Sequence, residues 1–211
     1  QQWLPQPKLT KEELSIHEQK LILSIFQAVS AIPEIAEEVL EDFTTSWGNL
    51  PELPYNKTAE ITEFFHVLNG KSSGEKNYND GSCPYISSGD TLNSIIRQIS
   101  EEEEELFEYG GITVTAFGQA YLQPWKFMAR GNGGSAVRVL VPKFKITLNE
   151  LLWFAAQINV QKWRFFYARM AIKSRLERLE ITRQKKNIPD NGDTIFKRIE
   201  TFKKYLFELS K

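Results

Sequence analysis

Two nearby stretches, Ile61–Lys71 (ITEFFHVLNGK) and Gly81–Asn93 (GSCPYISSGDTLN), set the character of this 211-residue chain. Each sets a short β-branched or aromatic run against a cluster of Gly, Asn, Ser or Asp, the pattern of strands closed by tight turns. Beyond them the pattern recurs, giving expected strands at Phe64–Leu68, Cys83–Ser87, Ile112–Phe117 and Ala136–Val141. One helix interrupts the strands. Thr147 and Glu150 form a capping box, and Leu151, Leu152, Ala155 and Ile158 follow at helical spacing.

Toward the amino terminus the period changes. Thr10 and Glu13 make another capping box ahead of Leu14, Leu21, Ile22, Ile25, Phe26 and Val29. Pro33 stops that pattern and can open a second helix carrying Ile35, Val39, Leu40, Phe43 and Trp47, so an αα-hairpin is expected from Thr10 to Trp47. Gly48–Thr58, with Pro51 and Pro54, has no periodic pattern and reads as a boundary. At the other end, Ile195, Ile199, Phe202, Leu206 and Leu209 are spaced 4, 3, 4 and 3 apart, as in a coiled-coil seam. The expected fold is therefore α+β: an N-terminal helical hairpin and linker (1–58), a mixed, curved β-sheet domain with one inserted helix (59–186), and a C-terminal amphipathic helix (187–211).

The formal net charge of -1 hides a split. Residues 1–114 carry 7 Lys and Arg against 20 Asp and Glu, residues 115–186 carry 14 against 3, and the remainder 5 against 4. Among the central cations lie Tyr121, Trp125, Phe127, Trp163, Phe165, Phe166 and Tyr167, a mixture suited to a polyanion such as nucleic acid. The alternative is a core segment whose long cations reach solvent along their apolar stems. Tyr167 and Trp163 are expected in the core, because aromatic side chains bury large areas in small domains.

Catalytic patterns are missing. The sequence has no phosphate-binding glycine loop with a Lys-Ser/Thr end, no Gly-x-Ser-x-Gly elbow and no dinucleotide fingerprint. His17 and His66 are isolated, so no metal site is expected from them. Cys83 precedes Pro84 with no basic neighbour and reads as a buried, inert thiol. An N-terminal signal pattern is absent and apolar runs such as Leu151–Ala156 fall far short of the roughly 18 residues that span a bilayer, so a cytoplasmic protein without a membrane partner is expected.

Read in order, the sheet-rich part resembles the target recognition domain of type I restriction-modification specificity subunits and of related fused restriction-methylation enzymes. Residues 59–181 carry the likeness. Ile61–Lys71 is similar to the family's first strand and Gly-Lys turn, and Gly81–Asn93 to its Gly-x-x-Pro-Tyr-Ile-Ser segment and polar loop. Gly110–Tyr121 (GGITVTAFGQAY) matches its apolar strand and small-residue turn, and Lys162–Arg169 (KWRFFYAR), with Leu176, Leu179 and Ile181 after it, its closing aromatic-basic stretch. Three features depart from the family pattern. Ala168 stands where the family usually has Gly, which questions a tight turn there. Ile181-Thr182-Arg183 replaces a Leu/Ile-Pro pattern. One recognition domain stands where two are usual, so the sequence reads as a half-subunit or a fragment.

The resemblance implies a sequence-specific DNA-binding component that directs a DNA adenine methyltransferase and restriction complex. It implies no catalysis and no cofactor of its own, any S-adenosylmethionine belonging to a partner. Double-stranded DNA and a methyltransferase subunit are the expected partners; a restriction subunit and a second copy, paired through the terminal helices, are further ones. Polar loops on a sheet present side chains to base edges while surrounding cations fix the register on phosphates. Ser87, Ser88, Asn93, Thr115 and Gln119 are expected to read bases, and Lys71, Arg130, Lys162, Arg164, Arg169 and Lys173 to contact the backbone. For any one of the polar residues, an ordinary turn role is the competing reading. Two other functions remain as alternatives: a metal-dependent nuclease using Asp190, Asp193 and Glu200, and a protein-interaction module with a basic face.

Overall fold

Both capping boxes form. Glu13 N–H donates to Thr10 Oγ1 (3.2 Å) ahead of α1 (Lys11–Ala31), and Glu150 N–H donates to Thr147 Oγ1 (3.2 Å) ahead of α2 (Leu148–Val160). The computed structural model describes residues 10–32, 34–35, 50–108 and 110–184. The expected seam helix, and all but Glu34 and Ile35 of the hairpin's second helix, lie outside the described residues.

Among the described residues, ten strands divide into three sheets. The N-terminal strand β1 (Lys57–Glu60) pairs with the last, β10 (Glu180–Arg183), antiparallel. A four-stranded antiparallel sheet has β2 (Phe65–Asn69), β9 (Arg138–Pro142), β6 (Gly111–Val114) and β7 (Ala120–Gln123) in that order. The other four-stranded sheet has the order β4 (Ile95–Ile99), β3 (Asp80–Ile86), β8 (Phe127–Ala129) and β5 (Leu106–Phe107), with β3 and β8 parallel. A short helix, α3 (Lys173–Leu176), precedes β10. The expected α+β class holds, with the strands spread over three sheets rather than one.

The core explains two of the strands that the sequence pattern does not reveal. All four residues of β7 and all three of β8 are buried, so they lack the alternation that marks a half-buried strand. Helix α2 is apolar on nearly every side because it is covered on nearly every side: it packs on α1, β7 and β10. Phe154, on α2, meets Phe64 and Phe65 with ring centroids 5.3 Å away in both cases. Helix α1 buries Leu14, Leu21, Ile25, Ala28 and Val29 in the same cluster as α2 and both large sheets. The boundary expected after residue 58 therefore separates no cores at α1.

Arg183 locks this arrangement. It is 2% exposed, and Nε and Nη2 donate to Glu150 Oε1 at 3.1 and 3.0 Å, while Nη1 donates to the Leu53 carbonyl. Its guanidinium also lies 4.1 Å from the Tyr55 ring centroid and 4.5 Å from that of Phe144. One side chain thus joins the 53–55 segment, the first turn of α2 and β10, which accounts physically for an arginine in the Ile181-Thr182-Arg183 departure.

Candidate nucleic-acid interface

Five polar segments meet along one edge, tied to one another by named hydrogen bonds. Ser72 N–H donates to the Ala129 carbonyl and Gly131 N–H to the Ser72 carbonyl, joining loop 70–73 to loop 130–135. Arg130 N–H donates to Ile86 O, and Ser87 Oγ donates to Ser135 O at 3.2 Å, which brings in loop 87–91. Next, Ala116 N–H donates to Ser88 Oγ at 3.3 Å, adding turn 115–119. Finally, Ala171 N–H donates to Ala116 O and draws in the 162–171 segment.

Gly118 is required at the last junction. Its φ is +77°, and a Cβ there would run into the Phe165 ring. Gly70 and Gly131 let two loops touch through their backbones, since a Cβ on either would overlap the other's strand. These close approaches hold the loops as a rigid row.

Within the row, Gln119 meets Lys162, Ser88 is bonded to the 115–119 turn, and Arg164 and Arg169 line one cleft. Gln119 Nε2 donates to Asn159 Oδ1 of α2 at 3.0 Å, and its Oε1 accepts from Lys162 Nζ at 3.1 Å, so its amide is oriented from both ends. Lys162, Arg169 and Lys173 are exposed; Lys173 lies 3.9 Å from Glu177. Arg130 lies further along, half-buried, with Nη1 3.5 Å from Glu75 and Nε donating to Asn132 O at 3.1 Å. Lys71 is exposed but already engaged: its Nζ donates to the carbonyls of Glu104 (3.2 Å) and Leu106 (3.0 Å) and sits 4.7 Å from the Phe107 ring centroid.

Three expected base readers are corrected by burial. Asn93 is 0% exposed; its Nδ2 donates to Leu122 O (2.7 Å) and Gln123 Oε1 (3.2 Å), and its N–H donates to Ser24 Oγ of α1 at 3.0 Å. Ser87 is 3% exposed and bonded to Ser135; Thr115 is 5% exposed, its Oγ1 accepting from Gln119 N–H at 3.1 Å. A side chain that can reach a base edge must first reach solvent, and these three build the loops instead. Asn93 is also the centre of a left-handed turn, with φ of 46°, 57° and 68° at Leu92, Asn93 and Ser94. Three non-glycine residues in that region need the surrounding contacts to hold them.

The expectation for Tyr167 and Trp163 is overturned as well. Tyr167 is 88% exposed, Phe166 54% and Trp163 50%. Phe166 and Arg169 exchange two backbone hydrogen bonds (3.2 and 2.7 Å), so Tyr167 and Ala168 form the tip of a two-residue turn. Ala168 is not among the positive-φ residues, which is why the turn closes without the family's glycine. Phe117, 50% exposed, flanks the same surface. The KWRFFYAR segment already carried the signal, a density of aromatic residues beside cations beyond what a core needs.

Arg164 sits beneath the turn. Its Nε and Nη2 are buried without a hydrogen-bond partner, and burial, then the nearby Arg169 charge, holds its guanidinium below its ordinary pKa. Elsewhere, Cys83 is buried, His66 is exposed and His17 is half-buried. Among the described residues no group of three or more His, Cys, Asp or Glu stands close enough to hold a metal, and no helix is long and apolar enough to cross a membrane. Asp190, Asp193 and Glu200 lie outside the described residues.

The chain is similar to the specificity subunit S.BcgI of a type II restriction enzyme from Heyndrickxia coagulans, 28% identical over 123 residues, which is 57% of this chain and 36% of that protein. It is also similar to the type I restriction-modification S subunit from M. genitalium, at 15% identity and a TM-score of 0.48, covering 95% of this chain and 58% of that one. The HsdS subunit from Thermoanaerobacter tengcongensis aligns at 13% identity and a TM-score of 0.44, over 95% and 45% of the two chains. The chain thus spans between about a third and three-fifths of these proteins' lengths. Residues 56–211 match the model of the type I restriction modification DNA specificity domain, and this chain belongs to that family.

Proposed function

We propose that this chain is a DNA target-recognition module that confers sequence specificity on a methyltransferase and restriction complex, with no catalytic step of its own. The row of hydrogen-bonded polar loops, bordered on one side by the aromatic-basic 162–175 segment, is the observation that carries this reading. Fixed loops are what base reading requires, since a donor or acceptor pays no ordering cost when it is already positioned. Ser88 and Gln119 are the base-facing residues of this proposal. Lys162, Arg169 and Lys173 neutralise phosphates, Arg130 takes the adjoining part of the backbone, and Lys71 supports its loop.

The methyltransferase subunit, and with it S-adenosylmethionine, lies outside this chain in the proposed complex. The outer face of α1, with Ile16 52% and Leu23 57% exposed one heptad apart, is the surface offered to it. Selection of duplexes from a randomised pool by the purified chain at near-physiological salt tests the recognition step. Enrichment of a motif of a few base pairs is expected; no enrichment, with the chain folded and the methyltransferase subunit supplied, overturns it.

A further inference from the structure

The turn at 166–169 covers an open cleft of about 610 Å3 whose lining includes Arg164, Arg169, Arg175, Arg178, Ser174 and Phe166, and no carboxylate among the described residues. Four guanidinium groups on one cleft repel one another, and folding gathers them nonetheless. Arg164 is the most demanding: two of its N–H-bearing nitrogens are buried and unpaired, although buried charged donors are ordinarily satisfied. Among the described residues the charge of Glu180 favours its charged form, and the charge of Arg169 opposes that effect more strongly. Arg175 is positioned by Nη1 donating to Met170 O at 2.9 Å, which leaves the rest of its fork for another acceptor.

We propose that this cleft is a phosphate site, with Arg164 as its floor and Arg169, Arg175 and Arg178 as its rim, taking a phosphate mono- or diester. The planar fork of arginine matches the oxygens of a phosphate, and an anion there supplies the acceptors that Arg164 lacks. The ligand is supplied either by the backbone of bound DNA, which rests on the function proposed above, or by a free phosphate ester, which does not. Ser174 offers a hydroxyl at the same wall, and the Phe166 ring gives the cleft an apolar side suited to a sugar or base attached to the phosphate.

Thermal melting of the purified full chain in inorganic pyrophosphate, with ionic strength held constant by sodium chloride, tests the site. A saturable rise in melting temperature is expected with pyrophosphate and none with chloride alone. Arg164→Met removes the uncompensated charge while keeping the stem, so its ligand-free melting temperature should rise and its pyrophosphate affinity fall about tenfold. Arg178→Gln, on the exposed rim, should leave ligand-free melting unchanged and weaken pyrophosphate severalfold, and it decides the matter if the Arg164 variant does not fold. No saturable rise in the wild type, or wild-type affinity in both variants, overturns the proposal.

Duplex binding against salt separates the two sources. If Arg178→Gln lowers the salt slope by about one, the ligand is a backbone phosphate. An unchanged slope together with lost pyrophosphate binding assigns the cleft to a free ester. Pyrophosphate binding without any duplex binding leaves the cleft standing and overturns the DNA reading; duplex binding without a pyrophosphate response does the reverse.

Discussion

Asn93 is wholly buried within three successive left-handed residues, and its amide nitrogen reaches Leu122 and Gln123 while its backbone N–H reaches Ser24 of α1. Gln123 in turn donates to Thr113 Oγ1 (2.8 Å) and to the Asn93 carbonyl (3.1 Å). Asn93→Ala leaves the Leu122 carbonyl and Gln123 Oε1 without the Nδ2 donor inside the core. A loss of about 1–3 kcal/mol in denaturant-measured stability is expected, with the preferred DNA sequence unchanged in a binding-site selection. Gln119→Ala should behave oppositely, relaxing preference at one position by about 1–3 kcal/mol while Lys162 loses its 3.1 Å acceptor. Tyr167, at 88% exposure, contributes almost nothing to packing. Tyr167→Ala is therefore expected to keep the melting temperature within the small change usual for a surface substitution, read by thermal denaturation.

At the scale of elements, both long helices begin at a side-chain cap, and each is expected to lose about 1 kcal/mol on Thr10→Ala or Thr147→Ala, read from denaturant midpoints. The second change costs more than the first, because Glu150 is held by Thr147 and by buried Arg183 together. Arg183→Met leaves the part-buried Glu150 carboxylate with Thr147 alone, and a loss of about 1–3 kcal/mol is expected in denaturant-measured stability. Helix α1 also carries a pH response. Burial first, then the charges of Lys20 and Lys162, lowers the pKa of His17 from its model-peptide value of 6.5. Protonation then favours the unfolded chain, so the His17 contribution is intact above pH 6.5 and is lost as pH falls toward the folded-state value. The melting temperature should fall between pH 7 and pH 5, with a smaller fall in His17→Gln.

Across the whole molecule the charge split resolves into two kinds of cation. Lys143 donates to Thr62 O and Arg183 is sealed in the core, so these belong to folding. Arg169, Arg175 and Arg178 gather on the cleft beside the turn at 166–169, and Lys162 is exposed beside Gln119 of the loop row. Lys162→Ala is expected to weaken binding to all duplexes alike and to lower the salt slope by about one, measured by titration at several salt concentrations. A lysine whose contribution were structural would instead change the melting temperature.

Local rules written into the sequence determined the start of both long helices, because Thr10 with Glu13 and Thr147 with Glu150 satisfy helix ends within three residues of themselves. They determined four strands to within a few residues, the burial of Cys83, and the resemblance to a recognition domain, since those rest on patterns that neighbours along the chain create. Only tertiary structure decided the rest. Strands β7 and β8 are buried on both faces and carry no alternation, so their pairing depends on partners distant in sequence. Asn93 and Ser88 are both small polar loop residues, and the difference between an internal anchor and a surface group lies in whether α1 covers the loop. Tyr167 resembles a core aromatic until the Phe166–Arg169 turn lifts it into solvent, and Arg164 resembles any surface cation until packing buries two of its nitrogens without a hydrogen-bond partner. Burial is a property of what packs against a residue, and for these residues the packing partners come from elsewhere in the chain.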